Sequence, residues 1–350
     1  MGYRYIGSKD KLAGTIIDEI KSKCPKANSV IDLMAGTGLF SLALRKRGFR
    51  VIASDVMTYS YHHLTVNLLL NKAPIFEGLL EELGAHDKMY FYVLDYLNQI
   101  EPNRGYFTKE FSPEGIPEAG CKPRMYFTGE NASKIDAIRA KVKKWHETNR
   151  ITDIEHSLLL HDLIMAANDI ANIAGTYGHY LSHFVQRATQ PMHLTPTVFD
   201  DDKNIKGHEI RKGYAEEIAE QLTADVCYID PPYIKRQYAA NYHILETLAR
   251  EDEPEAIGES GLRPWRDQYS NFCSKIKIRN SFQTIIESVN CKHIFISYSE
   301  DGLLALNDLI DFLSNFGVVS HKEIVYKRFK SNNSGKSNEI IEYLIYLRKE

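Results

Sequence analysis

Short apolar runs alternate with amphipathic stretches through the first part of the chain. Residues 29–33 (SVIDL) and 50–54 (RVIAS) have the β-branched, apolar character of buried strands, and residues 39–47 between them have helical spacing. A further helix is predicted over 9–20, with Ser8 as its N-cap. Strand, helix and strand in this order predict a parallel sheet with right-handed crossovers in a three-layer α/β domain.

The pattern changes after about residue 95. Loop-rich sequence and two helical stretches follow, and the strand pattern returns with an apolar run at 226–229. An interruption of this length exceeds what a strand–helix connection needs. We therefore predict an α/β catalytic domain over 1–95 and 206–350, and a mainly helical insertion over 96–205. The three aromatic residues at 90–92 are predicted to form a strand in the core.

Composition narrows the class of protein. In a chain of 350 residues, 43% hydrophobic and 25% charged residues are ordinary globular values, which excludes a disordered or fibrous chain. No apolar run reaches the roughly eighteen residues of a membrane helix, so we expect a cytoplasmic protein without membrane association. Five widely spaced cysteines argue against a disulfide framework. Because the net charge is −3, a polyanion must be met by a local basic patch.

A glycine-containing turn follows the first predicted strand. Gly36 and Gly38 in DLMAGTG permit positive φ and let a ligand approach the backbone at the carboxyl end of the sheet. Asp55 ends the next strand, where a carboxylate can accept both hydroxyls of a ribose. Ser41 replaces the third glycine of a dinucleotide-binding turn, and Asp32 would repel a pyrophosphate but attract a cation. The turn therefore favours S-adenosyl-L-methionine over NAD.

A second motif, Asp230-Pro231-Pro232-Tyr233, follows the apolar run that precedes it. The exocyclic amine of a nucleobase is a poor nucleophile because its lone pair is delocalised into the ring. The Asp230 carboxylate and the Pro231 carbonyl can accept its two N–H groups, which turns the lone pair towards a methyl donor. The two prolines hold that carbonyl rigidly, and Tyr233 offers a face on which an extruded base can stack. No cysteine nucleophile flanks the motif, so the pattern predicts direct transfer to a base amine.

The two motifs, in this order, resemble those of the Dam-like (D12 class) adenine-N6 DNA methyltransferases. The stretch Arg4–Lys9 (RYIGSK) precedes them as in that family, and Arg236–Glu246 (RQYAANYHILE) is similar to a stretch of restriction-system methylases. The resemblance implies a Rossmann-like methyltransferase fold with a target-recognition insertion. It also implies site-specific methylation of the N6 amine of a flipped adenine in duplex DNA, by a monomer with a cognate restriction endonuclease in the same system.

The resemblance assigns roles to matched positions only. Tyr5 and Lys9 would line the methionine end of the cofactor, and Asp230, Pro231 and Tyr233 would hold the adenine. The residues implied around the aminoacyl part and the ribose of the cofactor are Asp32, Ala35, Gly36, Gly38 and Asp55.

Two positions depart from the family pattern. Ile234 stands where the subgroup often has Asn after DPPY, and Tyr214 stands where it often has an acid, although Glu216 or Glu217 lies close by. Other interpretations remain open at this point. The same chemistry serves an N4-cytosine or RNA amine methyltransferase, and a catalytically silent DNA-binding relative or a NAD-dependent enzyme would share the fold.

Contact with DNA phosphates needs lysines and arginines on one side of the molecule. Basic residues are concentrated in 121–150 and 263–279. The residues predicted to contact DNA are Lys141, Lys144, Arg263, Arg266 and Lys275. No metal is predicted, because His179 and His183 have helical spacing but no third ligand in a recognisable motif.

Overall fold

The computed structural model of the chain describes residue 9 and residues 11–117, 121–199, 204, 207–327 and 339–350. Its contacts divide the chain into two compact units. The described residues of the first, which we call the helical unit, fall within Leu70–Asp201 and Ala239–Asp267. Those of the second, the sheet unit, fall within Gly7–Leu69, Asp202–Tyr238 and Gln268–Glu350.

Within the described ranges, seven strands of the sheet unit form one sheet in the order β3-β2-β1-β4-β5-β7-β6. The strands are β1 (Ser29–Asp32), β2 (Arg50–Asp55), β3 (Glu209–Lys212), β4 (Val226–Ile229), β5 (His293–Ser299), β6 (Gly317–Lys327) and β7 (Glu339–Lys349). Strands β1 to β5 are parallel, and β7 is antiparallel to both of its neighbours. The direction of winding reverses between β1 and β4, which is where open α/β sheets bind ligands.

The described helices lie between these strands and in the helical unit. They are α1 (Ala13–Lys23), α2 (Leu39–Lys46), α3 (Thr58–Leu69), α4 (Leu80–Leu83), α5 (Met89–Gln99), α6 (Tyr106–Phe111), α7 (Gly129–Glu147), α8 (Asp153–Ile170), α9 (Ala215–Ile218), α10 (Tyr238–Asn241), α11 (His243–Arg250), α12 (Ile278–Ser288) and α13 (Leu306–Leu313). None of those in the described ranges has both the length and the apolar character needed to cross a bilayer.

An apolar core covers each face of the sheet. Successive strand residues point to opposite faces, so Val30 packs with α1, α2 and α3, whereas Ile31 packs with α12 and α13. The β1 and β4 side chains are almost all fully buried, as expected for parallel strands covered on both sides. The predicted three-layer α/β fold is confirmed.

Two predicted elements differ in the structure. The first helix begins at Ala13 rather than at residue 9, because residues 11 and 12 form a turn in which the Leu12 amide donates to the Lys9 carbonyl at 2.9 Å; its predicted cap, Ser8, lies outside the described residues. The predicted strand at 90–92 is wrong. Those residues belong to α5, whose buried positions, Met89, Tyr90, Val93, Leu94 and Leu97, have the spacing of a helix.

The helical unit contains the two long helices that the sequence predicts. Thr128 caps α7 by accepting from the Asn131 amide, and Thr152 forms a reciprocal capping box with Glu155 at the start of α8. The unit includes residues 96–199 of the predicted insertion, together with 70–95 and 239–267. Compactness does not define which residues read DNA, so the division into a catalytic and a recognition part stays a prediction.

Candidate active site

The two sequence motifs leave the sheet side by side. β1 and β4 are adjacent and parallel, with Asp32 in register with Tyr228, and the Leu33 amide donates to the Tyr228 carbonyl at 3.1 Å. The carboxyl ends of parallel strands meet at one edge of a sheet. The turn after Asp32 and the turn beginning at Asp230 therefore lie next to each other, at the point where the strand order reverses.

The turn after β1 depends on glycine. Gly36 and Gly38 have φ of 54° and 75°, values that favour glycine. A Cβ atom on Gly38 would lie 3.0 Å from both Asn67 Nδ2 and Leu64 Cδ2 of α3. Asn67 Nδ2 in turn donates to the Thr37 carbonyl at 3.0 Å. The turn is thus pressed against α3 and leaves no room for a side chain at 38.

Asp55 joins this turn to the end of β2. Its Oδ2 accepts from the Gly36 amide at 2.8 Å, and its Oδ1 accepts from the Met57 amide at 2.9 Å. These two bonds fix the Asp55 carboxylate at the carboxyl end of β2, beside the glycine turn. The position is the one expected of a ribose-binding acid.

Asp32 is a buried acid held by a neighbouring hydroxyl. Its residue is 1% exposed, and Oδ2 accepts from Ser41 Oγ at 2.6 Å. Burial raises the pKa of Asp32 to about 7, against the Ser41 hydrogen bond, and Asp230 and Asp55 add to the rise. A cation bound beside Asp32 would stabilise its ionised form. The residue that replaces the third glycine therefore positions this acid.

Asp230 is paired within a cluster of three charged groups, which we call the Lys9 cluster (Lys9, Asp230 and Glu342). Lys9 Nζ lies 2.9 Å from Asp230 Oδ1 and 2.8 Å from Glu342 Oε1. The side chains of Lys9 and Glu342 are 2% and 1% exposed, and that of Asp230 is 18% exposed. Burial works against the charge of Lys9, but Asp230 and then Glu342 raise its pKa well above the usual range. The ammonium is therefore retained beside the DPPY carboxylate.

The sequence motifs did not predict Glu342 as a residue of the site. It belongs to no motif and lies far along the chain from Asp230. One signal was present, namely a single acid inside the apolar run IIEYLIYL of β7. Lys9, which the family resemblance places at the cofactor, contacts Asp230 in this structure, so its contact with the cofactor stays a proposal.

The rest of the DPPY motif is held in place by the neighbouring β5 region. Pro231 is buried, and Pro232 and Tyr233 are partly buried. The Tyr233 ring lies edge-on to Tyr298 at 5.9 Å, and the Tyr233 carbonyl accepts from the Leu303 amide at 3.0 Å. Part of the Tyr233 side chain is left accessible at the edge of the sheet where the two motifs meet.

Two of the predicted DNA-contacting residues have partners within the protein. Arg263 is 4% exposed and donates to both carboxylate oxygens of Asp252, at 2.9 and 2.7 Å. Lys141 donates to Glu82 at 2.6 Å. Arg263 is therefore not proposed to contact DNA. A phosphate would have to compete with Glu82 for the Lys141 ammonium. The residues that remain exposed are Lys144, Arg266 and Lys275.

Three further predictions concern residues around the site. Tyr5 lies outside the described residues, so its cofactor contact stays a prediction. Tyr214 follows β3, at the same edge of the sheet as Asp55, where the Gly213 amide donates to the Asp55 carbonyl at 3.1 Å. In the part of the chain that the structure describes, no three His, Cys, Asp or Glu side chains are grouped as metal ligands. The five cysteines are free thiols.

Comparisons with known proteins agree with the motifs. The family model for D12 class N6 adenine-specific DNA methyltransferases matches residues 5–309. Type II methyltransferase M.NlaIII of Neisseria lactamica is 32% identical over 99% of this chain and 99% of its own length. Type II methyltransferase M.FokI of Planomicrobium okeanokoites is 35% identical over 99% of this chain and 53% of its length. Modification methylase StsI of Streptococcus sanguinis is 33% identical over 99% of this chain and 52% of its own length.

The chain thus spans about half the length of M.FokI and StsI but nearly the whole of M.NlaIII. The family model covers well over half of the residues, and it begins before Lys9 and ends beyond the DPPY motif. The resemblance inferred from the motifs is confirmed: the chain belongs to the D12 class of N6 adenine-specific DNA methyltransferases.

Proposed function

We propose that the protein transfers a methyl group from S-adenosyl-L-methionine to the N6 amine of an adenine flipped out of duplex DNA. The observation that carries this proposal is the position of the two motifs. The glycine turn after β1 and the DPPY turn after β4 leave adjacent parallel strands at the same edge of the sheet. A methyl donor in one turn and a base amine in the other would then be within reach of each other.

The residues of the first turn fit S-adenosyl-L-methionine. The acids Asp32 and Asp55 suit a ligand that carries positive charge and ribose hydroxyls, and Gly38 lets that ligand approach the backbone. When bound, the cofactor supplies a methyl group on a positively charged sulfur. The chain's own contribution there is binding, orientation and an acidic environment, for which Ala35 and Gly36 provide the backbone.

In the second turn, Asp230 and Pro231 would bind the adenine amine. The Asp230 carboxylate accepts one N6–H group and the Pro231 carbonyl accepts the other, which directs the nitrogen lone pair out of the ring plane. After transfer, the methylated N6 carries a positive charge and one proton too many, and the Asp230 carboxylate would accept that proton. Pro232 stiffens the turn, and Tyr233 stacks on the base.

The acid Asp32 gives a pH-dependent prediction. With a pKa of about 7 in the free protein, it is mostly neutral at pH 6 and mostly ionised at pH 7.5, and only the ionised form attracts the sulfonium. Calorimetric titration should show S-adenosyl-L-methionine binding about eightfold more tightly at pH 7.5 than at pH 6, the ratio of the ionised fractions of Asp32. Asp32→Asn should remove the difference, and Asp18→Asn, at an exposed site, should retain it. Equal affinity of the unmodified protein at both pH values would contradict the assignment.

The proposed contact with DNA phosphates in the sheet unit is the basic segment formed by residues 268–279, which lies next to the DPPY turn. Gln237 and Ser270 exchange hydrogen bonds of 2.9 and 2.8 Å, and Cys273 Sγ donates to the Arg236 carbonyl at 3.3 Å. These bonds tie the segment to the residues after DPPY. The exposed basic residues of the segment are Lys275, Lys277 and Arg279.

Charge reversal tests this surface. Lys275→Glu with Lys277→Glu should weaken DNA binding and lower the slope of log affinity against log salt by about two, one for each lost phosphate contact. The matched control reverses Lys26 and Lys292, which are exposed before β1 and β5 at the opposite edge of the sheet. An unchanged slope in the first variant, measured by fluorescence anisotropy, would remove the segment from the interface.

Transfer of labelled methyl groups tests the proposed activity. The protein is incubated with duplex DNA and tritiated S-adenosyl-L-methionine, and the DNA is digested to nucleosides. The expected labelled product is N6-methyl-2′-deoxyadenosine. Label in N4-methylcytosine, or in RNA instead of DNA, would move the assignment to another amine. DNA binding without transfer of label would favour the catalytically silent relative.

We further propose that the protein acts as a monomer within a restriction–modification system, alongside a cognate endonuclease. The printed names of the relatives, type II methyltransferases and modification methylases, support this setting. Methylation of host DNA at the endonuclease's site, mapped by single-molecule sequencing, is the matching test.

A further inference from the structure

We propose that Glu342 is a positioning residue for methyl transfer, which acts on Asp230 through the shared ammonium of Lys9. It takes up part of the attraction of that ammonium, which leaves the Asp230 carboxylate a stronger acceptor and holds it aimed at the adenine amine. The inference rests on the proposed function, since it assigns a further residue to the same reaction. Glu342 itself is too deeply buried to touch the substrate, and no sequence motif includes it.

The geometry is that of one cation shared by two acids. Nζ of Lys9 lies 2.9 Å from Asp230 Oδ1 and 2.8 Å from Glu342 Oε1, so neither carboxylate has the ammonium to itself. With all three groups ionised, the Lys9 cluster carries a formal charge of −1. Lys9 and Glu342 are almost fully shielded from water, whereas Asp230 remains accessible at the edge of the sheet.

Sharing has a consequence for Asp230. A buried one-to-one pair with Lys9 would neutralise Asp230 and weaken it as an acceptor for the N6–H group. The second carboxylate draws part of the ammonium's attraction away and leaves Asp230 with net negative character. Glu342 also holds Lys9 in place through a second contact. The ammonium therefore contacts the Asp230 carboxylate from a fixed direction.

Among the described residues, Lys9 and Asp230 are the ionisable groups that shift the pKa of Glu342. Its register partners are Ser299 on β5 and Ile324 on β6, neither of which ionises. On the face covered by α1, the charged groups Glu19 and Lys322 pair with each other at 3.0 Å. Further ionisable groups of the described residues that interact with the Lys9 cluster include Asp32, Tyr228 and Tyr233.

The ionisation of Glu342 gives the inference a pH signature. Burial raises the pKa of Glu342 to about 7, against the attraction of Lys9, and repulsion by Asp230 adds to the rise. Below that pH, Glu342 is neutral and Lys9 pairs with Asp230 alone. The rate of transfer should therefore rise as the pH increases through about 7, even when both substrates are saturating.

Glu342→Gln tests the proposal because it keeps the volume but loses the charge. Single-turnover transfer, with saturating DNA and cofactor, is measured between pH 6 and pH 8. The unmodified protein should show a rise of about tenfold, the change in the ionised fraction for a pKa near 7. The variant should remain at the low rate throughout, about tenfold below the unmodified protein at pH 8, with its affinity for S-adenosyl-L-methionine unchanged.

A measurement on the free protein gives a second readout. A carboxyl group whose pKa is raised by folding contributes stability at low pH, and that contribution is lost as the pH rises through about 7. The melting temperature of Glu342→Gln relative to the unmodified protein should therefore increase between pH 5 and pH 8. The control is Glu110→Gln, which breaks a buried pair with Arg124 in the helical unit and should leave the pH profile of transfer unchanged.

The outcomes separate the inference from the function on which it rests. If Glu342→Gln transfers at the normal rate, or if it is slower but keeps the tenfold rise, Glu342 has only a structural role and the inference is wrong. If the unmodified protein transfers no methyl group to adenine, the proposed function fails and the inference fails with it.

Discussion

Asp230→Ala should abolish methyl transfer and leave the binding of S-adenosyl-L-methionine within about threefold of its normal affinity. The substitution removes the acceptor for the adenine amine, and the loss of one such preorganised electrostatic contact typically lowers a rate by about 100- to 1,000-fold. Lys9 keeps Glu342 as a partner, so the fold is expected to remain intact. The single-turnover rate and the calorimetric affinity, measured on the same preparation, check both parts.

The control for this variant lies at the other end of the same strand. Asp225 precedes β4 and accepts from the amides of Asn28 and Ser29, at 2.8 and 2.9 Å. Asp225→Ala should lower stability without changing the rate of transfer by more than about threefold, because it lies away from the edge that carries both motifs. Turnover by Asp230→Ala comparable to that of Asp225→Ala would defeat the assignment of the adenine site.

Lys9→Met should destabilise the protein by about 3–5 kcal/mol, the usual effect of removing one partner from a buried ion pair. Glu342 would be left without its cation in an apolar strand, and Asp230 would lose the group that restrains it. Both acids would then bind protons more readily. The loss of stability should therefore be smaller at pH 5 than at pH 8, as urea denaturation at the two pH values can measure.

A second lysine offers a matched comparison. Lys322 pairs with Glu19 at 3.0 Å on the same face of the sheet, but its side chain is 51% exposed. Lys322→Met should cost less than about 1 kcal/mol, since exposed pairs are screened by water and salt. If the two lysine variants lose equal stability, the Lys9 cluster is not the buried, coupled group described above.

Much of the sheet unit is predictable from local sequence, because parallel strands that are buried on both faces are short continuous apolar runs. That holds for β1, β2 and β4, and the two motifs are read correctly as turns at their carboxyl ends. Strand order brings the two turns together, and the right-handed crossover rule fixes only the side of the sheet on which each connection lies. No local pattern states that β7 inserts between β5 and β6, so the partnership of Glu342 with Lys9 could not be foreseen.

Other residues were misjudged because tertiary contacts decide their roles. Arg263 has the charge of a phosphate ligand, yet its side chain is buried within the helical unit and paired with Asp252. Tyr90 has high strand propensity, yet it lies in a helix and donates from its hydroxyl to Asp162 at 2.5 Å. Charge and propensity indicate what a side chain can do, and its neighbours determine which of these it does.

A structure of the ternary complex with target DNA and S-adenosyl-L-homocysteine tests the central claim most directly. The measurement is the distance from the N6 atom of the target adenine to two oxygens, those of the Asp230 carboxylate and the Pro231 carbonyl. We expect both distances to be about 2.8–3.1 Å, with the base outside the helix, stacked on Tyr233, and the cofactor's sulfur facing N6. An adenine that stays paired in the duplex, or one bound away from Asp230, would contradict the account.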